Sequence, residues 1–112
     1  MTIREAAVLL NAEILQDDFD DQPLTGAYTS DLLSDVIANA KEGGALITIQ
    51  AHKNTVAVAS LVNLSVIILC NNRPVQDEDM LSAAKNERIA VIRTKENQFT
   101  VSGKLYGAIH KT

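Results

Sequence analysis

The residues able to do chemistry in this 112-residue chain are few, and they stand in short polar groups. One imidazole, His52, sits in Gln50-Ala51-His52-Lys53-Asn54; the other histidine, His110, lies in the C-terminal tail. The single thiol, Cys70, follows the apolar run Val66-Ile67-Ile68-Leu69 and opens Cys70-Asn71-Asn72-Arg73. Hydroxyls and a carboxylate meet in Tyr28-Thr29-Ser30-Asp31, and Arg93-Thr94-Lys95-Glu96-Asn97 adds cations and an amide. A histidine beside an acid such as Asp31 could do general acid–base work if the two met in a cleft. His52 has no second histidine, cysteine or carboxylate at ligand spacing, so a metal site is not expected. Between a pH-sensing or phosphate-contacting role and a hydrogen-bonding loop residue, the second is the simpler reading. Cys70 reads as a small core residue, because an activated thiolate needs a partner base that the sequence does not show.

Other patterns exclude more than they offer. Asp17, Asp18, Asp20 and Asp21 lack the spacing and glycine of a calcium loop and read as solvated. No GxxxxGK[ST], GxGxxG or GxSxG string occurs, nor a Ser-His-Asp set in a known order. No catalytic residue, cofactor or metal is therefore expected.

The elements that would position these groups alternate. Thr2 and Glu5 form a capping box opening a helix over residues 3–10, with Ala6, Leu9 and Leu10 inward. A short strand over 12–15 leads to an acidic loop ending at Pro23. Residues 25–29 read as a strand, and Ser30 as the cap of a helix with Asp31 in its first turn. Leu32, Leu33, Val36, Ile37 and Ala40 form that helix's apolar face, and Gly43-Gly44 ends it. A strand follows over 45–49, then a short helix capped by Asn54 with Val58, Leu61 and Val62 inward. Residues 66–69 read as a central strand, 77–87 as a helix, 89–92 as a strand and 98–108 as a closing helix. Such alternation implies an α/β three-layer sandwich with a mostly parallel central sheet. The whole chain, 1–112, reads as one domain, and 46% hydrophobic residues suffice for a core.

In open parallel sheets ligands bind outside the carboxyl ends of the strands, where the four polar groups above would fall. Each also has the plainer reading of a solvated connection. Net charge is −4, with no tryptophan, which argues against a nucleic-acid surface. No apolar run is long enough for a bilayer, and residues 1–10 do not form a signal peptide, so a cytoplasmic protein is expected. One cysteine permits no intrachain disulfide.

Two strings carry a resemblance. Tyr28-Thr29-Ser30-Asp31-Leu32-Leu33-Ser34-Asp35-Val36 and Ile47-Thr48-Ile49-Gln50-Ala51-His52-Lys53-Asn54, in that order, resemble the core of the DRTGG family, and the likeness runs from about residue 20 to 107. The family's Asp-Arg-x-Gly-Gly-like turn is degenerate here. Asp20 to Ala27 holds no arginine, and Ala27 stands where the second glycine would be, leaving Gly26 as the one place for close backbone approach to a ligand. The resemblance implies a fold like the N-terminal domain of HPr kinase/phosphorylase, without that enzyme's P-loop domain or its activity. It also implies a regulatory module, since related domains stand beside CBS domains in nucleotide-regulated pyrophosphatases. Stand-alone members are encoded near iron-only hydrogenase and redox-signalling genes.

The resulting expectation is a non-catalytic, ligand-sensing homodimer that binds an adenine nucleotide or another small anionic metabolite. Thr25, Gly26, Tyr28, Ser30, Asp31, Gln50, His52, Asn54 and Asn71 are its candidate ligand contacts. The dimer follows from the family and from the thin polar face of Val56, Ala57, Ala59 and Leu61, a composition that burial within one chain would also explain. A protein–protein adaptor with no small-molecule ligand is the alternative. A small phosphotransfer or hydrolytic enzyme would require His52 and Asp31 to meet.

Overall fold

The structure is a computed structural model that describes residues 1–110. The capping box forms as read: Glu5 N–H donates to Thr2 Oγ1 (3.2 Å), and Thr2 N–H to Glu5 Oε1 (2.9 Å). It opens α1, Ile3–Leu9, which buries Ile3, Ala6 and Ala7 with Leu10 just beyond. Leu10 lies seven positions after Ile3 and continues the same stripe. Leu9, expected inward, falls off that stripe and is exposed.

Next come β1 (Glu13–Gln16), β2 (Ala27–Thr29), α2 (Leu33–Asn39), β3 (Ala45–Thr48), α3 (Lys53–Leu61), β4 (Val66–Leu69), α4 (Asp79–Glu87), β5 (Ala90–Arg93) and α5 (Gln98–Ile109). The sheet order is β1-β5-β4-β3-β2. Strands β2 to β5 are parallel; β1 lies antiparallel on β5 with a bulge between Ile14 and Gln16. Fully buried β3 and β4 form the centre of the sheet, as their unbroken apolar runs require.

Two cores flank the sheet. On one face α1 and α5 pack Ile3, Ala6, Leu10, Val101 and Leu105 over the side chains of Ala45, Ile47, Val66, Ile68 and Ile92. On the other, α2, α3 and α4 pack Val36, Val56, Ala59, Met80 and Ala84 over Leu46, Ile67, Leu69 and Val91. The fold is thus the three-layer α/β sandwich with a mostly parallel sheet. From β2 to β5 each strand is the neighbour of the one before, so every crossover helix lies on the same face. The parallel strand order never reverses, and the crevice that a reversal opens between strand ends does not form.

Two helix starts differ from the sequence reading. Ser30 is not a helix cap: α2 begins after Leu32, which makes no side-chain cap bond, and the Ser30 hydroxyl accepts the Leu32 N–H in a local turn at 3.2 Å. Asp31 is not in the first turn; Asp35 is. Asn54 is not a cap either, because the N-cap of α3 is His52 and Asn54 lies inside the first turn. Moving that start rotates the buried face of α3 to Thr55, Val56 and Ala59, leaving Leu61 66% exposed. Ile37, expected on the buried face of α2, is also exposed, and only Val36 of that helix is fully buried. The turn before β3 does use its glycine: Gly43 has φ +79, and a Cβ there would lie 2.9 Å from Thr25 Cγ2.

Candidate functional site

At the carboxyl ends of the strands, one carboxylate organises the rim. Asp31 leaves β2 and turns over the end of β3, where its Oδ1 accepts the Thr48 hydroxyl and the Ile49 N–H, each at 2.8 Å. From α5, Gln98 Nε2 donates to both carboxylate oxygens at 3.1 and 3.2 Å. Asp31 therefore fastens β2, β3 and α5 together, and this is why it cannot serve the first turn of α2. Thr48 is wholly buried, and its hydroxyl also accepts the Gln50 N–H at 3.1 Å.

Gln50 extends the network. Its Nε2 donates to the Asp31 carbonyl at 3.1 Å, its Oε1 lies 3.1 Å from His52 Nε2, and its own carbonyl accepts the Thr55 hydroxyl at 2.8 Å. His52 thus reaches Asp31 only through Gln50. The hydrogen bonds of the rim do not pair the imidazole directly with the acid, as an acid–base mechanism would need.

The β4 and β5 ends join beside it. Asn71 and Asn72 both take positive φ, 58 and 51, conformations asparagine tolerates better than most residues. Their N–H groups donate to the carbonyls of Glu96 (2.9 Å) and Thr94 (2.8 Å). The Asn71 side chain is exposed. Glu96 Oε1 accepts Lys104 Nζ at 2.8 Å, while Glu96 Oε2 and Arg73 Nε are buried with no protein partner. Below them Cys70 is fully buried, and loss of solvent, reinforced by the charges of Asp31 and Glu96, pushes its thiol up to about 12. It is inert at neutral pH, as a core cysteine should be.

The remaining candidates lie elsewhere. Tyr28 points to the α2 face, where its hydroxyl donates to the Asp35 carboxylate at 2.9 Å and Asn39 Nδ2 donates to the same group at 2.8 Å. The Ser30 and Tyr28 hydroxyls and the Asn39 amide hold the Asp35 pKa below the usual carboxylate range; the same contact raises that of Tyr28. Thr25 and Gly26 sit at the opposite end of β2 from Asp31. With Tyr28, Asn39 and Lys41 they line a cavity of about 100 Å³. Asn54 borders an open groove between α3 and α4, beside Lys53, Ser60 and Glu87.

The structure therefore links Asp31, Gln50 and His52 in one hydrogen-bonded chain, with Gln50 in the middle, and Asn71 follows β4 on the same rim. Ser30 and Tyr28 belong to the Asp35 cluster, Thr25 and Gly26 to a separate small cavity, and Asn54 to a third surface. Thr48, Gln98, Asp35 and Glu96 were not legible as partners. Thr48 looked like any strand residue, and Gln98 lies 67 positions from Asp31. Among the described residues no group of three or more histidine, cysteine, aspartate or glutamate side chains could hold a metal ion, and no helix is long and apolar enough to cross a membrane.

Comparison with known proteins gives a fold. No family model matches the chain, and no curated protein matches it significantly. Among solved structures, the chain is similar to the CBS and DRTGG domains of the regulatory region of Clostridium perfringens pyrophosphatase, complexed with activator, diadenosine tetraphosphate. The TM-score is 0.71 over 93% of this chain at 17% identity, and this chain covers 45% of that one. The fold is DRTGG-like. That neighbour is a regulatory region of an enzyme, not its catalytic part.

Proposed function

We propose that the chain is a non-catalytic, ligand-sensing regulatory module of the DRTGG type, and that its ligand is a small anion, an adenine nucleotide first among the candidates. The observation that carries this is the fold likeness over nearly the whole chain to a regulatory region bound to a dinucleoside polyphosphate. The rim supports it chemically. Around the fixed Asp31–Gln50–His52 chain stand Lys53 at the start of α3, Arg73 after β4 and Lys95 after β5. The first turn of α3 carries no acid of its own, and of its N–H groups that of Lys53 donates to the Asp77 carboxylate at 3.4 Å. A connection with hydrogenase or redox signalling rests on the family resemblance alone.

A thermal-shift series with AMP, ATP and diadenosine tetraphosphate tests the reading. A ligand at 100 times its dissociation constant adds about 2.7 kcal/mol, which for a domain of this size raises the melting temperature by on the order of 10 °C. The expected result is such a shift, abolished by His52→Ala. Gly26→Val should leave it intact, since nothing lies within 4 Å of a Cβ at Gly26 and the rim is at the other end of β2. Loss with Gly26→Val alone would move the site to the Thr25–Lys41 cavity. The absence of any shift would leave the adaptor reading, which the exposed Leu32, Phe99 and Tyr106 favour.

A further inference from the structure

One rung of the β2–β3 ladder is missing. Ala27 pairs with Ala45 and Tyr28 with Leu46, a parallel register in which residues 26, 28 and 30 turn their backbone groups toward β3. Those of Ala27 and Thr29 face the open edge. As the register requires, the Ala45 N–H donates to the Gly26 carbonyl at 3.0 Å and the Ser30 N–H to the Ile47 carbonyl at 3.1 Å. The same register assigns the Gly43 carbonyl to the Gly26 N–H. The Thr25 N–H donates to that carbonyl instead, at 3.2 Å, and the N–H of half-buried Gly26 has no hydrogen-bond partner among the described residues. Backbone donors turned toward a neighbouring strand are nearly always paired, so this one asks for an acceptor.

Gly26 borders the cavity of about 100 Å³ that lies between the amino ends of β2 and β3 and the end of α2. Tyr28 and Leu64, both on the α2 side of the sheet, make much of its wall apolar. Most polar side chains on the wall have already committed their hydrogens. The Thr25 hydroxyl donates to the Glu42 carbonyl at 2.8 Å, and the Tyr28 hydroxyl and Asn39 amide donate to Asp35. Two donors remain: the Gly26 N–H and the Lys41 ammonium, which enters no ion pair among the described residues. By strand alternation a side chain at Gly26 would project on the Tyr28 side, and nothing lies within 4 Å of its Cβ. The space it would enter is the cavity.

We propose that this cavity binds a small monocarboxylate, its oxygens held by the Gly26 N–H and Lys41 and its short apolar tail laid against Leu64. Donor count and volume set the class. One cation and one N–H match a single negative charge on two oxygens, whereas a phosphate brings three strong acceptors and a larger charge. The apolar wall leaves those extra acceptors unpaired but takes methylene groups. Pockets that enclose larger organic ligands measure about 300–1,000 Å³, so a nucleotide does not fit inside this one. The site is separate from the rim: it lies at the opposite end of β2 and shares no residue with the Asp31–Gln50–His52 chain.

A proton–nitrogen NMR titration of the intact chain with acetate, propionate, butyrate and hexanoate tests the site, with sodium chloride at equal ionic strength as the reference. The expected result is a saturable downfield shift of the Gly26 amide proton, the mark of a new hydrogen bond. Affinity should rise about 4-fold per added methylene until the cavity is full, and hexanoate should bind no better than butyrate. Lys41→Met, at an exposed residue, should weaken binding by on the order of 10-fold. Gly26→Val, whose side chain fills the cavity without collision, should abolish it, read at the Leu64 methyls. Should Gly26→Val fail to fold, Lys41→Met decides alone. A Gly26 amide that stays still, or moves as much with chloride, overturns the proposal, as does a shift that Lys41→Met leaves unchanged. Inorganic phosphate binding in preference to every carboxylate overturns the ligand class. None of these outcomes depends on whether a nucleotide binds at the rim.

Discussion

At the scale of single residues, the polar groups that looked free for a ligand are largely committed to one another. Asp31 was legible as a carboxylate near a strand end. Its partners were not, because they come from β3 and α5, and no local spacing encodes that meeting. Removing the carboxylate leaves the buried Thr48 hydroxyl and the Ile49 N–H without an acceptor, and such groups cost about 1–3 kcal/mol each when stranded. Asp31→Ala should therefore lower unfolding free energy by about 2 kcal/mol in urea titrations; a change near zero would show that water replaces the carboxylate. Cys70 was read correctly from its place in the most apolar run, and it gives a pH prediction. Its folded pKa is raised from about 9 to about 12, while in the unfolded chain the thiol ionises near its ordinary value. The neutral thiol therefore favours folding fully below pH 9, and this contribution is lost as pH rises towards 12. Stability curves of the protein and of Cys70→Ala should converge over that window, and maleimide should label Cys70 only in denaturant.

At the scale of elements, types were legible and starts were not. Strands β3, β4 and β5 announce themselves by uninterrupted apolar runs, and α1 by its capping box. Replacing Thr2 by alanine removes that cap, and about 1 kcal/mol of stability should go with it, measured by thermal unfolding. The loss should be specific to α1: Asn97, whose side chain accepts the Thr100 N–H at 2.9 Å at the start of α5, gives an independent cap of similar worth. The starts of α2 and α3 were misread for different reasons. Ser30 is a good cap by type, yet it lies beside Asp31, which tertiary hydrogen bonds to β3 and α5 hold in place. Asn54 is also a good cap by type, but His52, bonded locally to Gln50 two residues before it, takes the N-cap position. The buried faces rotated with these starts.

For the whole molecule, alternation of strand and helix was enough to give the layers and the parallel sheet, but not that the crossovers share one face. Chain order alone does not say which strands are neighbours. Once β2, β3, β4 and β5 are adjacent in sequence order, right-handed crossovers must stack α2, α3 and α4 together, and α1 and α5 must cover the other side. The sheet then has a buried centre and two unlike edges, and amide exchange should report both facts. Residues of β3 and β4, shielded on both faces, should exchange only through global unfolding. At the β2 edge the Tyr28 N–H is bonded to β3, whereas those of Ala27 and Thr29 face outward. In dilute protein, Ala27 and Thr29 should therefore exchange much faster than Tyr28. Equal protection of all three amides would show that the edge does not stand open to water.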